Sequence, residues 1–323
     1  MKILLSTGIY PPKVGGPAQY AKNLKDNFEK IGHHVSVKTF GIEGRLPSGL
    51  RHLFFFFKII PKLLISDLVI ILDTYSVGFP TVFASKILSK KSIIRTGGDF
   101  LWEHYIEKTK KKVLLKKFYT EERGNFSLKE RIIFRVTRWT LKNASRVVFS
   151  TNWQRDISVQ AYNLKSEKTD IIENYYGTKE SDIAPVDKVL VGSARNIILK
   201  NLDILKKFGV FTDNLPFEKF MQKIKSCFGV IVLSVSEVSP NLILDAIRYN
   251  RPFICTREVG IYDRIKNAGT FVDPLDKKQI EEAILNLSTE EGYSIAKEKV
   301  KNFNFVHTWE EITCEFIDIF KKI

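Results

Sequence analysis

Along this chain, short runs of β-branched and other apolar residues alternate with longer stretches in which apolar positions return every three or four residues. In the first half the short runs are Lys2 to Ser6 (KILLS), Val35 to Phe40 (VSVKTF), Leu68 to Leu72 (LVIIL), Ser92 to Thr96 (SIIRT), Arg146 to Ser150 (RVVFS) and Asp170 to Glu173 (DIIE). Such runs with helical periods between them are the pattern of parallel strands joined by crossover helices. Pro17 stands where a first helical position tolerates a missing N–H, and Gly32 stands where the same helix ends.

After Asn174 the text turns polar through YYGTKESDIAPVDK, which places a linker near Asp182 to Val186. A second alternating series follows: a strand at Lys188 to Ser193, helices near Leu202 to Phe208 and Pro216 to Lys225, and a strand at Val230 to Ser234. It continues with a helix from Asn241 to Tyr249, a strand at Pro252 to Thr256, and helices to the end. A chain of 323 residues can bury two cores. The pattern therefore predicts an α/β protein of two doubly wound, Rossmann-like halves.

With 44% hydrophobic and 27% charged residues the composition is that of a folded globular protein. Cys227, Cys255 and Cys314 lie far apart, which predicts neither a disulfide framework nor a thiolate metal cluster and suits a reducing cytosol. The opening MKILLSTGIYPP reads as a first strand running into a turn, without the small-residue cleavage site of a signal peptide. The most apolar stretch, Leu53 to Leu72, is interrupted by Pro61 and contains Lys58, Lys62 and Asp67, charges that a bilayer-spanning helix does not bury. Net charge is +15, concentrated in runs such as Lys108 to Lys117. Nucleic acid, an anionic lipid surface, phosphate-bearing small molecules and a merely solvated surface all account for it. His33, His34, His52 and His307 have no ligand spacing and read as structural, so no metal site is expected.

Two doubly wound halves hold ligands at the carboxyl ends of their strands, where Gly-rich turns and helix N-termini face the interdomain cleft. Four segments fall there. In VGGPAQY (Val14 to Tyr20) the backbone N–H groups of Gly15 and Gly16 could cradle a phosphate or sugar hydroxyl, or form an ordinary tight turn. In GSARNIILKN (Gly192 to Asn201) Arg195 and Lys200 form a diphosphate clamp or a pair of solvated cations. In SEVSPNLILDAIRYNRPFICT (Ser236 to Thr256) Glu237 precedes a helix whose first N–H groups and dipole suit phosphate, and Asp245 lies on that helix. The bland reading makes these a loop carboxylate and a surface helix residue. In RTGGDFLWEH (Arg95 to His104) Asp99 and Glu103 could bond sugar hydroxyls and Trp102 could stack on a sugar ring or simply fill the core.

The order of these features, a GG turn, GD-x-x-W-E, an R-K loop, an E-x7-D helix and NFNFVHTWEEI near the end, resembles family 4 of the retaining glycosyltransferases over nearly the whole chain. Its strongest piece is SVSEVSPNLILDAIRYNRPFICTREVGIYDRI. The resemblance implies a GT-B architecture: an acceptor-binding domain at 1–183, a donor-binding domain at 184–305, and a last helix, 306–323, returning to the first domain. It implies a hexose transferred with retention from a nucleoside diphosphate sugar to a glycan or lipid-linked acceptor, without cofactor or metal. Arg195 and Lys200 would hold the diphosphate, and Glu237 the donor sugar. Val238, Ser239, Pro240, Asn241 and Leu242 would meet phosphate, Asp245 the ribose, and Gly16 the donor sugar.

The chain departs from the family in three places. Asp245 stands where the family prefers Glu, Gly97, Gly98 and Asp99 stand where it commonly has a histidine, and Asn201 to Leu233 is shorter than its counterpart, which predicts a truncated second sheet. The mixed aromatics and cations of Gly49 to Leu64 suit a helix lying on an anionic membrane, or one packed on the first sheet. A cytoplasmic protein, peripheral on the inner membrane face, would meet a lipid-linked acceptor there. Two other functions stay open: a glycosyltransferase-like binding protein without turnover, and a basic nucleic-acid-binding protein, which the motifs favour least.

Overall fold

A computed structural model describes residues 1–13, 15–192, 197–213 and 215–323, the side chains of residues 42, 43 and 48 excepted. The chain divides into two compact units, Met1–Leu101 with Glu122–Asn174 and Thr308–Ile323, and Trp102–Glu121 with Tyr175–His307.

The first series of elements runs β1 (Lys2–Ser6), α1 (Gly16–Lys30), β2 (His34–Lys38), α2 (Ser48–Leu64), β3 (Leu68–Ile71), α3 (Gly78–Ile87), β4 (Ser92–Thr96), α4 (Phe100–Thr109), α5 (Leu115–Glu121), α6 (Leu128–Asn143), β5 (Arg146–Phe149), α7 (Asn152–Tyr162) and β6 (Thr169–Ile171). The six strands form one sheet in the order β2-β1-β3-β4-β5-β6, with every pairing parallel. β3 and β4 are buried at every position, as a sheet covered on both faces requires. Pro17 sits in the first turn of α1, and Gly32, at φ 84°, bonds back to Glu29 where the helix stops. Ser127 and Glu130 close a capping box at the start of α6, satisfying donors that the helix leaves open. Helix α2 packs on α3 and α3 on α6.

The second series is β7 (Leu190–Val191), α8 (Leu202–Lys207), α9 (Phe217–Ser226), β8 (Gly229–Val232), α10 (Asn241–Arg248), β9 (Phe253–Thr256), α11 (Tyr262–Ile265), β10 (Thr270–Val272), α12 (Lys277–Ser288), α13 (Glu290–Asn302) and α14 (Trp309–Lys321). Among the described residues its sheet has four parallel strands, β10-β9-β8-β7, against six in the first. β10 lies where the sequence pattern predicts only helices: it is three residues long, and of these only Val272 is buried. Gly269 precedes it because a Cβ there would meet the Phe253 ring at 2.1 Å. Helix α14 packs on α1, with Tyr20 edge-on to Trp309 at 5.1 Å and Phe28 beside Phe316.

Candidate functional site

In the second unit all four strands run one way, so the loops after them gather at one end of the sheet. Hydrogen bonds join these loops. Val235 N–H donates to Leu199 at 2.9 Å, and the Asn201 side-chain amide donates to Leu233 and Pro274 at 2.6 and 3.2 Å. Glu237 N–H donates to Glu258, and its carbonyl accepts from Gly260. Asn201 turns the chain into α8 with φ 52°, a left-handed conformation that asparagine tolerates.

On this frame Lys200 and Glu237 form an ion pair, their side chains only 13% and 14% exposed, and the Ser234 hydroxyl donates to the same carboxylate oxygen at 2.6 Å. Half-buried charges of this kind hold each other in place. The Cys255 thiol on β9 is pushed up by burial and next by the Glu237 charge, a sign of how near the carboxylate lies to the sheet. Three residues further on, Pro240 caps α10 without any side-chain acceptor for its first N–H groups. Asn241 is exposed at that start, Val238 is buried, and the buried Ser239 hydroxyl has no hydrogen-bond partner among the described residues. An uncapped helix start with a cation beside it suits an anion. Arg195 lies outside the described residues.

Asp245, one turn into α10, is pushed up to about 6 by burial, with Arg248 opposing. Because its ordinary value is 3.8, the folded chain binds this proton more readily than the unfolded one. The resulting destabilisation is full above the folded value and disappears as pH falls through it toward the unfolded one. Asp245→Asn is therefore expected to raise the unfolding free energy by about 2 kcal/mol at pH 7, after a discount for partial exposure, and by nothing near pH 4. Urea unfolding at the two pH values checks this.

Residues far away in sequence brace these loops. Glu107 accepts from Ile198 N–H at 2.7 Å, Ser236 accepts from Leu115 N–H at 3.0 Å, and Lys116 pairs with Glu258. The run Lys108 to Lys117, which reads as a charge run, thus contributes a structural cation.

In the first unit the loop after β1 leads to Gly15, whose φ of 151° only glycine adopts readily, and to Gly16, the first residue of an uncapped α1. After β4, Asp99 is half-buried in a loop held by Thr96 and Gln154, both of which donate to Gly98. Beneath it lies a cation that sequence reasoning treats as strand filling. Arg95 is 8% exposed, donates to Ser150 and Asn174, and lies 4.0 Å from the Tyr20 ring of α1. Gly97 is required there, since a Cβ would meet the Arg95 guanidinium at 2.3 Å. Burial pushes the Tyr20 hydroxyl up while Arg95 pulls it down. Glu103 is half-buried on α4. Trp102 differs from the stacking expectation: it is 3% exposed, and its indole N–H donates to Val113 at 2.8 Å. Its ring fills the interior of the second unit and has no face to offer a sugar.

Solved structures match this chain along its whole length. Anabaena HepE in complex with UDP-glucose aligns over 100% of both chains with a TM-score of 0.71 and 15% identity. Sucrose-phosphate synthase from Thermosynechococcus elongatus aligns over 99% of this chain and 98% of its own, with a TM-score of 0.70 and 13% identity. The chain has the GT-B fold. WaaG, a glycosyltransferase involved in lipopolysaccharide biosynthesis, is similar over 99% of both chains at a TM-score of 0.66 and 13% identity. No protein-family model and no curated protein sequence matches the chain. At these identities the likeness concerns the path of the backbone, and the side chains above carry any chemistry of this GT-B chain.

Proposed function

We propose that this chain is a retaining hexosyltransferase of the family 4 type, which moves a hexose from a nucleoside diphosphate sugar to a glycan or lipid-linked acceptor in cell-surface polysaccharide or glycolipid synthesis. The observation that carries the reading is the Lys200–Glu237–Ser234 cluster beside the uncapped start of α10. In the reaction the bond from the anomeric carbon to the diphosphate breaks, and its electron pair leaves with the phosphate oxygen. The acceptor hydroxyl bonds the same carbon on the same face, and its proton passes to that oxygen.

Negative charge grows on the diphosphate, where the Lys200 ammonium, Arg195 and the backbone N–H groups of Val238, Ser239, Asn241 and Leu242 stabilise it in place of a metal ion. Glu237 orients the sugar and Asp245 meets the ribose. Gly15, Gly16 and Asp99 of the first unit, with Glu103 of the second, serve the sugar and acceptor side.

A panel of UDP-, GDP-, ADP- and dTDP-hexoses tests this reading. One donor is expected to raise the melting temperature and to release its nucleoside diphosphate when acceptor is present, with EDTA leaving the rate unchanged. Loss of activity in EDTA that magnesium restores overturns the metal-free step. The four-stranded second sheet favours a second reading, a binding protein without turnover. Stabilisation by a donor with no nucleotide release under any acceptor decides for it, and no stabilisation by any nucleotide sugar ends both readings.

A further inference from the structure

Helix α2 is apolar on two sides. Phe55, Ile59 and Leu63 are fully buried, yet Leu50, Leu53, Phe54 and Phe57 at the same helical spacing are 52%, 53%, 60% and 62% exposed. Packing inside the first unit, with α3 as its helical neighbour, explains the first stripe and leaves the second without a function. The exposed stripe continues onto the neighbouring helices through Phe83 and Ile87 of α3 and Leu128 and Ile132 of α6. Aromatic contacts link them: Phe57 meets Phe56 at 5.2 Å, Phe56 meets Phe83 at 5.6 Å, and Phe83 meets Trp139 at 5.9 Å.

The charge on these helices has one sign. Across α2, α3 and α6 the one acidic residue is Glu130, 1% exposed and held in its capping box, whereas Arg51, Lys58, Lys62, Lys86, Lys129 and Lys142 are among the basic ones. Where the three helices end, a pocket of about 390 Å³ is walled by Lys86, Lys90, Lys91, Lys142 and Lys168 with no carboxylate in its lining. Lys90 donates to the Leu64 and Ser66 carbonyls, which ties the pocket to the end of α2, where Leu64 and Ile65 are exposed.

We infer that this face of the first unit docks on a bilayer containing anionic phospholipid, with the α2–α3–α6 stripe in the headgroup–acyl boundary and the lysine pocket on lipid phosphate. An anionic bilayer offers an apolar layer and a layer of phosphate together, as this surface demands. A nucleic acid offers phosphate and stacking bases but no aliphatic layer for the exposed Leu50, Leu53 and Ile87. No helix among the described residues is long and apolar enough to cross a membrane, so the contact is interfacial. The inference stands apart from sugar transfer, since it can be read with no donor present.

The experiment is co-sedimentation of the full chain with vesicles of phosphatidylcholine alone and with about a third phosphatidylglycerol added. Binding is expected only to the mixed vesicles. Phe54→Ser with Phe57→Ser, and separately Lys142→Gln with Lys168→Gln, are each expected to weaken it roughly tenfold. All four residues are exposed, so circular dichroism and melting temperature should match the parent. As a second readout, tryptophan at position 54 in Phe54→Trp should shift its emission to the blue on adding mixed vesicles. No binding to mixed vesicles overturns the inference. So does binding that the phenylalanine substitutions leave unchanged and an oligonucleotide competes away, or a stable dimer that buries these phenylalanines and ignores vesicles.

Discussion

Lys200→Ala is expected to lower the turnover number for sugar transfer by about two to three orders of magnitude, equivalent to roughly 3 to 4 kcal/mol of barrier. The ammonium is fixed before any donor arrives, paired with Glu237 and only 13% exposed, so its field on a departing diphosphate needs no rearrangement of water. Charge on the diphosphate rises as the glycosidic bond breaks, so the loss should fall mainly on kcat and less on KM. The same substitution leaves a half-buried Glu237 carboxylate with the Ser234 hydroxyl, and that alone lowers stability. Lys200→Ala combined with Glu237→Gln separates the two effects: the double variant should recover most of the lost melting temperature and none of the lost turnover. A Lys200→Ala enzyme within threefold of the parent would sink the diphosphate clamp.

Much of this arrangement is legible in the residues themselves. The β4 and β5 runs announce a buried parallel sheet, and Pro240-Asn241 announces a helix start after a strand. Glu237 is prominent because a carboxylate between a strand and an uncapped helix has little structural reason to be there. What stays hidden depends on partners distant in sequence. Trp102 stays open between a platform for a sugar ring and a core residue because nothing local shows that its N–H reaches Val113. Arg95 reads as part of a strand, and its role as a buried cation appears only once Ser150, Asn174 and Tyr20 close around it. Glu107 and Lys116 brace the loops of the second sheet across 91 and 142 residues of chain. β10 is hidden for another reason: an edge strand with one buried side chain needs no apolar run.

Gly78→Ala should be the most damaging small substitution in the first unit. Gly78 opens α3, and a Cβ there would lie 2.1 Å from the Asp73 carbonyl oxygen and 2.9 Å from its carbon, so backbone must move. The backbone in question holds a buried carboxylate. Asp73 accepts from Tyr75, Val77 and Gly78 N–H groups at 2.8, 3.1 and 3.2 Å, and burial pushes its proton affinity up against those bonds. Shifting the loop lengthens all three at once around a partly buried carboxyl group. The expected cost is about 3 to 5 kcal/mol, a fall of roughly 8 to 15 °C in melting temperature. Gly124→Ala is the control, because nothing lies within 4 Å of a Cβ at that position, and its melting temperature should stay within about 2 °C of the parent. The effect should also reach the site. Gly8, in the loop leading toward Gly15 and Gly16, would place a Cβ 3.7 Å from the Asp73 carboxylate, so that loop rests on the group that Gly78→Ala displaces. A Gly78→Ala chain that melts like the Gly124→Ala control would mean that α3 can start one residue later without disturbing Asp73.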